Sequence, residues 1–398
     1  MRILLIAHGF PRSPDDMAGS FLLTLAQGQQ ALGHEVAAVA PHAAGLATDE
    51  TLRGVRVFRY RYGTDQDETL AYAGTMHEQA LGSWAARWRL LRLVQASRRA
   101  VGRVVQAWRP DVLHVHWWVP GGFAVWPPPA DQAPVVLTSH GTDLFLLDRF
   151  PAAEVIAAPI FRMAHQVTVI SSPLVDRVES LGIPRERISV IPMPVAARFH
   201  ERLPGAEAGS RLLFVGRLVE RKGARVAVEA LDVLKRMGRK AHLTIVGDGP
   251  ERGSLESLVG DKGLSQAVEF KGRLPTERVA GELAAADLFV MPAVTDWKGE
   301  QEGFGLVLVE AMMSGVPIVA SRSGGIPDVV RDGETGLLVP ERDPVALADA
   351  IARLLSDQDL SQRLAQAAAR DAERRFAPRA IARRFEAVYR RALGVAGS

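Results

Sequence analysis

The sequence contains no cysteine. Disulfides, thiolate metal sites and cysteine nucleophiles are thereby excluded, and the redox compartment stays open. Neither sign of charge is in excess: 48 Lys and Arg face 45 Asp and Glu, for a net charge of +3. Such a balance does not suit a whole-chain nucleic-acid footprint, so no nucleic-acid partner is expected. Long apolar runs are also missing. The longest uncharged stretch, Trp117 to Ala130, holds four prolines and two adjacent glycines and cannot be a spanning helix. The opening Met-Arg-Ile-Leu-Leu-Ile-Ala-His-Gly has too short an apolar run for a signal peptide. A soluble cytoplasmic protein, or one peripheral on the inner face of a membrane, is the expectation. No repeat of solenoid period and no low-complexity segment occurs.

What is present is a chain of 398 residues, 47% hydrophobic by type, which is long enough for two domains. Short, largely apolar runs alternate with helical patterns. Candidate strands in the first half are Ile3–Ala7, Glu35–Ala40, Val55–Tyr60, Val112–His116, Val135–Ser139 and Val167–Ser171. Parallel strands covered on both faces have this composition. Ser20–Ala31 and Trp84–Trp108 show helical spacing between them. After a Pro- and Gly-punctuated stretch the pattern restarts with Leu212–Val215, His242–Val246, Val268–Lys271, Leu288–Met291 and Pro317–Ala320. The alternation predicts two doubly wound α/β domains of Rossmann type, joined near residues 195–209. We place an N-terminal domain at 1–200 and a C-terminal domain at 201–375. The tail from Asp357 reads as helices, the last of which, about 376–398, is expected to pack back on the first domain.

The chemistry-bearing residues cluster in the second half. Leu212-Leu-Phe-Val-Gly-Arg-Leu puts Gly216 and Arg217 at the carboxyl end of a strand, with Lys222-Gly223 at the start of the next helix. Ligands of open α/β sheets bind at such ends. A guanidinium, an ammonium and a helix N-terminus in one loop suit a diphosphate, although a glycine turn with two solvated cations has the same spelling. The turn Gly247-Asp-Gly, with Gly253, imitates a dinucleotide fingerprint but has its third glycine one position late. A tight strand–helix turn is the more economical reading. In Glu302-Gly-Phe-Gly-Leu-Val-Leu-Val-Glu310 a buried, uncharged helix is expected from about Gly303. Glu302 then stands at its mouth, and Glu310 is a carboxylate inside it, costly unless paired or ligand-bound.

Together Gly216-Arg217, Lys222-Gly223, Gly247-Asp-Gly, Glu302-x7-Glu310, Ser323-Gly-Gly-Ile-Pro-Asp and Gly333-Glu-Thr-Gly-Leu-Leu-Val resemble, in this order, the glycosyltransferases of family four, a retaining group of GT-B fold. The match is dense over 211–340 and loose over the N-terminal half. The resemblance implies two Rossmann-like domains facing across a cleft, and transfer of a sugar from a UDP- or GDP-sugar with no metal or other cofactor required. It implies that Arg217 and Lys222 grip the donor diphosphate, that Glu310 accepts from the ribose, and that Glu302 contacts the transferred sugar. Phe304, Gly305 and Leu306 would meet sugar and phosphate through their backbone. Gly272-Arg273-Leu274 would hold the base. His140, in Ser139-His-Gly-Thr-Asp143, would touch the sugar, and Gly19 would belong to the glycine loop after the first strand. Ile191-Pro-Met-Pro-Val-Ala stands where the family usually has Pro-Asn-Gly-Val-Asp. The acceptor (glycan, lipid-linked or small molecule) is not legible. Two rival readings are a nucleotide-sugar epimerase of the same fold and a non-catalytic nucleotide-sugar-binding subunit.

Other features are read more plainly. Asp65-Gln-Asp67 has the spelling of a metal motif from a different glycosyltransferase fold but lacks its context, so no metal ligands are assigned. His114 and His116 alternate along a strand and are expected on opposite faces. The segment Trp84–Arg109 carries seven arginines interleaved with Trp84, Trp88, Leu91, Val101, Val105 and Trp108. It suits either a core-packed helix with a solvated face or a helix lying on an anionic membrane.

Overall fold

The computed structural model describes residues 1–14, 16, 18–72, 76, 83–129, 132–196 and 211–394. The chain divides into two units, Met1–Ala196 with Pro378–Ser398, and Ala197–Ala377. From residue 197 on, the expected linker lies outside the described residues.

The N-terminal unit is built on β1 (Arg2–Ile6), β2 (Glu35–Pro41), β3 (Asp49–Leu52), β4 (Val55–Tyr60), β5 (Val112–His116), β6 (Val135–Ser139), β7 (Gln166–Val169) and β8 (Ile188–Val190). They form one sheet in the order β3-β4-β2-β1-β5-β6-β7-β8. All pairings are parallel except the β3/β4 hairpin. β1, β5 and β6 are buried along nearly their whole length, as strands with helices on both faces must be. One face packs Ile3, Leu5, Val36, Val57, Val112 and Val136 against Leu22 and Leu25 of the helix Ser20–Gln30. The last helix, Pro378–Ala392, completes this core with Ile381, Phe385, Val388 and Tyr389. It lies so close to the helix Ser20–Gln30 that a Cβ on Gly28 would stand 2.5 Å from the Pro378 carbonyl oxygen.

The C-terminal unit carries β9 (Arg211–Val215), β10 (His242–Val246), β11 (Val268–Gly272), β12 (Leu288–Met291), β13 (Ile318–Ser321) and β14 (Leu337–Val339). They form a wholly parallel sheet in the order β11-β10-β9-β12-β13-β14. Leu212, Phe214, Leu243 and Ile245 meet Leu231 and Leu234 of the helix Ala224–Arg236, and Leu347 and Ile351 of the helix Pro344–Ser356. In each sheet the direction of winding reverses once, at β1/β5 and at β9/β12. A crevice opens at the carboxyl ends of the strands where that happens.

Candidate active site

The loops leaving β9 and β12 flank the reversal of the second sheet, and they carry Gly216, Arg217, Lys222 and Glu302. The β9 loop runs Gly216–Gly223 through a short 3-10 turn at Glu220–Lys222, and Gly223 in the left-handed region (φ 73°) starts the helix Ala224–Arg236. A Cβ on Gly223 would lie 1.7 Å from the Pro292 carbonyl oxygen, so only glycine permits this approach. The Val294 N–H donates to the Arg221 carbonyl at 2.9 Å, which ties the two loops together. The Lys222 stem lies over Gly216, whose added Cβ would be 3.6 Å from Lys222 Cδ.

Lys222 Nζ donates to Glu302 Oε2, and Arg221 Nη1 to Glu300 Oε2 at 3.1 Å. Glu302 is only 8% exposed. Burial pushes its pKa up, but the charges of Lys222 and Arg221 and the Lys222 hydrogen bond outweigh that and hold it below the ordinary glutamate value. The Glu302 carbonyl accepts from Gly325 N–H at 2.8 Å, so Ser323-Gly-Gly fixes the same loop from β13. Arg217 is exposed beside this pair in sequence. Lys222 by direct contact and Arg221 by its nearby charge thus act on one buried carboxylate at the strand ends.

The helix after Glu302 differs from expectation. It spans Leu306–Met313, not Gly303 onward, because Gly305 takes a left-handed φ of 78° and delays the first turn. Phe304 is buried against Phe376, ring centroids 5.6 Å apart. Leu306 opens the helix, and no side chain caps its free N–H groups. Glu310 is half-buried, so the expectation of a carboxylate sealed inside an apolar helix is corrected. The sealed carboxylate is Glu302. Gly272, Arg273 and Leu274 end β11, two strands from β9; Arg273 is exposed and Leu274 half-buried. Gly247 and Gly249 have packing duties, since added Cβ atoms would stand 1.8 Å from the Gly216 and 2.4 Å from the Leu218 carbonyl oxygen.

In the N-terminal unit, His8, Trp117 and His140 follow β1, β5 and β6 at the other reversal. Gly19 (φ 69°) abuts the β1 loop, its added Cβ falling 1.4 Å from the Gly9 carbonyl oxygen. Phe21 lies 5.1 Å and Trp117 4.2 Å, centroid to centroid, from the His140 ring. Trp117 holds a positive φ of 61°, a strained conformation for an aromatic residue at a strand end. Asp143 anchors both loops: its Oδ1 accepts from Ser139 Oγ (2.8 Å) and His140 N–H (3.0 Å), and its Oδ2 from Trp118 N–H (3.2 Å).

The expectation that His114 and His116 face opposite ways is wrong. Residues two apart on a strand share a face, and their rings lie 4.1 Å apart. His114 Nδ1 meets Tyr389 OH at 2.7 Å and its Nε2 meets Thr138 Oγ1 at 2.7 Å. His116 Nδ1 meets His140 Nε2 at 3.0 Å. Burial drives the His114 pKa down to about 3, and those of His116 and His140 well below the usual histidine value. The sequence reading missed this network; the spacing His114-x-His116 was its signal.

Asp65 is held by Arg61 and Asp67 by Thr64. Among the described residues, His42, Asp65 and Glu68 have ligand atoms within 4.8 Å of one another. The His42 nitrogens, however, are engaged by Glu68 Oε2 (2.5 Å) and the Leu46 carbonyl (2.8 Å). On the helix Trp84–Trp108, Trp84, Trp88 and Leu91 are 84%, 60% and 54% exposed, while Leu93, Val101 and Val104 face inward. No described helix is long and apolar enough to cross a membrane.

Comparison with known proteins bears on the family and the fold. The model of the family "Glycosyl transferases group 1" matches residues 197–371, and that of the "Glycosyl transferase 4-like domain" matches 18–194. The chain is 34% identical over 241 residues to a GDP-mannose-dependent alpha-(1-6)-phosphatidylinositol monomannoside mannosyltransferase of Mycobacterium tuberculosis, covering 58% of this chain and 62% of the relative. It is 28% identical over 393 residues to a glycogen synthase of the same organism, covering 92% and 89%. It spans about half the length of several curated relatives that it matches above 30% identity. Among solved structures it is similar to a sucrose-phosphate synthase from Thermosynechococcus elongatus (TM-score 0.74, 24% identity, 99% of both chains). It is also similar to Anabaena HepE in complex with UDP-glucose (TM-score 0.69, 20% identity, 97% and 98%). The two parallel-sheet domains are those of the GT-B fold. With its C-terminal half matched by the group 1 model and its N-terminal half by the 4-like domain model, the chain belongs to the group 1 glycosyltransferases.

Proposed function

We propose that this protein transfers a sugar from a UDP- or GDP-sugar to a hydroxyl acceptor, with retention of anomeric configuration and without a metal ion. The observation that carries the reading is at the carboxyl ends of β9 and β12, where Lys222 pairs with a buried Glu302 just ahead of the uncapped start of the helix Leu306–Met313, and Arg217 follows β9 in the same loop as Lys222. Breaking the bond from the sugar C1 to the diphosphate builds negative charge on the leaving oxygen. Preorganised cations and helix N–H groups stabilise that charge where water would have to reorganise. In the resting protein Lys222 is neutralised by Glu302. An arriving diphosphate competes for the ammonium and leaves Glu302 to accept from sugar hydroxyls. Glu310 holds the ribose, Gly272-Arg273-Leu274 the base, and Phe304, Gly305 and Leu306 the sugar and phosphate through their backbone. Gly19 and His140 serve from the N-terminal unit, His140 at the sugar. No second carboxylate is assigned as a nucleophile, so the acceptor oxygen bonds C1 on the face the diphosphate leaves and passes its proton to the departing oxygen. That the mannosyltransferase relative is GDP-mannose-dependent and HepE holds UDP-glucose supports this donor class.

Arg217→Ala should weaken UDP or GDP binding roughly ten- to hundredfold, the worth of one charge-assisted hydrogen bond, and hardly change nucleoside binding. Titration calorimetry with nucleoside and nucleoside diphosphate decides; equal losses would take Arg217 off the phosphates. Turnover should survive a metal chelator. Complete loss, restored by manganese, would return the role of charge neutralisation to a metal.

We also propose that the helix Trp84–Trp108 rests on an anionic lipid surface, which would place the protein on the cytoplasmic face of a membrane. Arg87 and Arg92 stack over Trp84 and Trp88 at 5.2 and 6.0 Å, so basic and apolar groups share one outward face. Each basic residue near such a surface contributes about 1 kcal/mol, screened by salt. The protein should float with vesicles containing phosphatidylglycerol and not with pure phosphatidylcholine, and Trp84→Ser/Trp88→Ser should release it. Equal recovery on both vesicles would reject the proposal.

A further inference from the structure

The His140 ring has one hydrogen-bonding protein partner among the described residues, and that partner is another histidine. Its Nε2 lies 3.0 Å from His116 Nδ1. The outer nitrogens of the pair, His140 Nδ1 and His116 Nε2, are buried with no protein partner. Trp117 and Phe21 flank the His140 ring, and Asp143 holds its backbone N–H. The pair is backed by a third imidazole. His114, 4.1 Å from the His116 ring, is gripped at both nitrogens by Tyr389 and Thr138. Gln29 Nε2 donates to Tyr389 OH at 2.6 Å, which ties the same hydroxyl to the helix Ser20–Gln30.

A bond between two neutral imidazoles contains one proton. If His116 Nδ1 carries it, His140 Nε2 accepts and His140 Nδ1 must be an N–H donor. If His140 Nε2 carries it, His140 Nδ1 is a bare acceptor. The tautomer of one ring dictates that of the other. We propose that His116 is the positioning residue of His140: through the Nδ1···Nε2 bond it holds His140 in a single tautomer and orientation, and so sets whether Nδ1 gives or takes a hydrogen bond at the transferred sugar. This rests on the reading that His140 contacts the sugar. His116 itself does not touch substrate.

The test uses the full chain, 15N-labelled at histidine, with hydrolysis of UDP-glucose or GDP-mannose, whichever the unmodified protein turns over. Unmodified protein should show one neutral His140 tautomer, with two well-separated ring-nitrogen signals. His116→Asn, whose amide reaches the Nδ1 position, should keep those signals and most of the turnover. His116→Phe and His116→Gln offer no polar atom at that position. Each should average or exchange the His140 signals and lower kcat roughly tenfold, the worth of one hydrogen bond, with UDP affinity unchanged. If Phe fails to fold, Gln carries the same comparison in a polar side chain. Unaltered His140 signals and kcat in the folded variant that breaks the bond, with His140→Ala inactive, would overturn the positioning role alone. Full turnover in His140→Ala would instead overturn the sugar contact, and the His140 signals would still report whether the pair exists.

Discussion

Lys222→Ala is expected to cost the C-terminal unit about 3 kcal/mol of stability, at the low end for a broken buried ion pair, and to lose turnover as well. The stability loss comes from the partner left behind. Glu302, only 8% exposed, would keep a charge that Lys222 no longer balances. Arg221 stays near but is engaged with Glu300. The double variant Lys222→Ala/Glu302→Ala removes both charges and should recover part of the stability, while remaining inactive. Glu302→Gln should stay folded, because Lys222 can turn to water, and should lower kcat more than it raises KM. Glu310→Gln should do the reverse, since a ribose contact binds ground and transition states alike. Urea titrations followed at Trp297, alongside steady-state kinetics, make the test. A Lys222→Ala protein as stable as the unmodified one would show that the pair is not buried in solution.

The N-terminal unit should lose stability steeply as pH falls below 6.5. His114 is fully buried with a folded-state pKa of about 3, against 6.5 in the unfolded chain. Below pH 6.5 the unfolded chain takes up a proton that the folded one refuses. The stability is complete above 6.5 and drains away as pH falls toward 3, at about 1.4 kcal/mol per pH unit for this one group. His116 and His140 are depressed in the same direction by burial, and His8 to about 4, so the combined slope is steeper. His114→Asn should be less stable at pH 7.5, yet its stability should fall less steeply between pH 6.5 and 5. Denaturant titrations at several pH values, read at Trp117 and Trp118, measure both. Equal slopes would mean that His114 takes up its proton in the folded protein as readily as in the unfolded chain.

The strands that position the two crevices were legible because each is a short, largely apolar run buried over most of its length: Ile3–Ile6, Val112–His116, Leu212–Val215. Strands β3, β8 and β14 were not. Asp49–Leu52 is polar at all but its last residue and forms a hairpin edge, and Ile188–Val190 and Leu337–Val339 are three residues long, too short for a periodic signal. The cations of the β9 loop were legible from their place after a strand. The Lys222–Glu302 pair was not, because it joins residues 80 positions apart. Glu310 was misjudged because apolar neighbours in sequence were taken as burial, while its own position on the helix Leu306–Met313 is only half-buried. The histidine network escaped through an error of strand geometry, and its closing member, Tyr389, lies 275 residues from His114.

The helix Pro378–Ala392 has a consequence for biosynthesis. The N-terminal unit is interrupted: its chain leaves at Ala196 and returns only at Pro378. Domains emerging from the ribosome normally fold in order, at about 5–20 residues per second. Here the first unit to be made is the last that can be finished. For roughly ten to forty seconds at that rate it waits without Ile381, Phe385, Val388 and Tyr389, its sheet bare on the face they cover. The uninterrupted second unit has every residue it needs before that helix appears. A nascent chain paused between the two stages shows apolar strands to its surroundings, which is where chaperones bind.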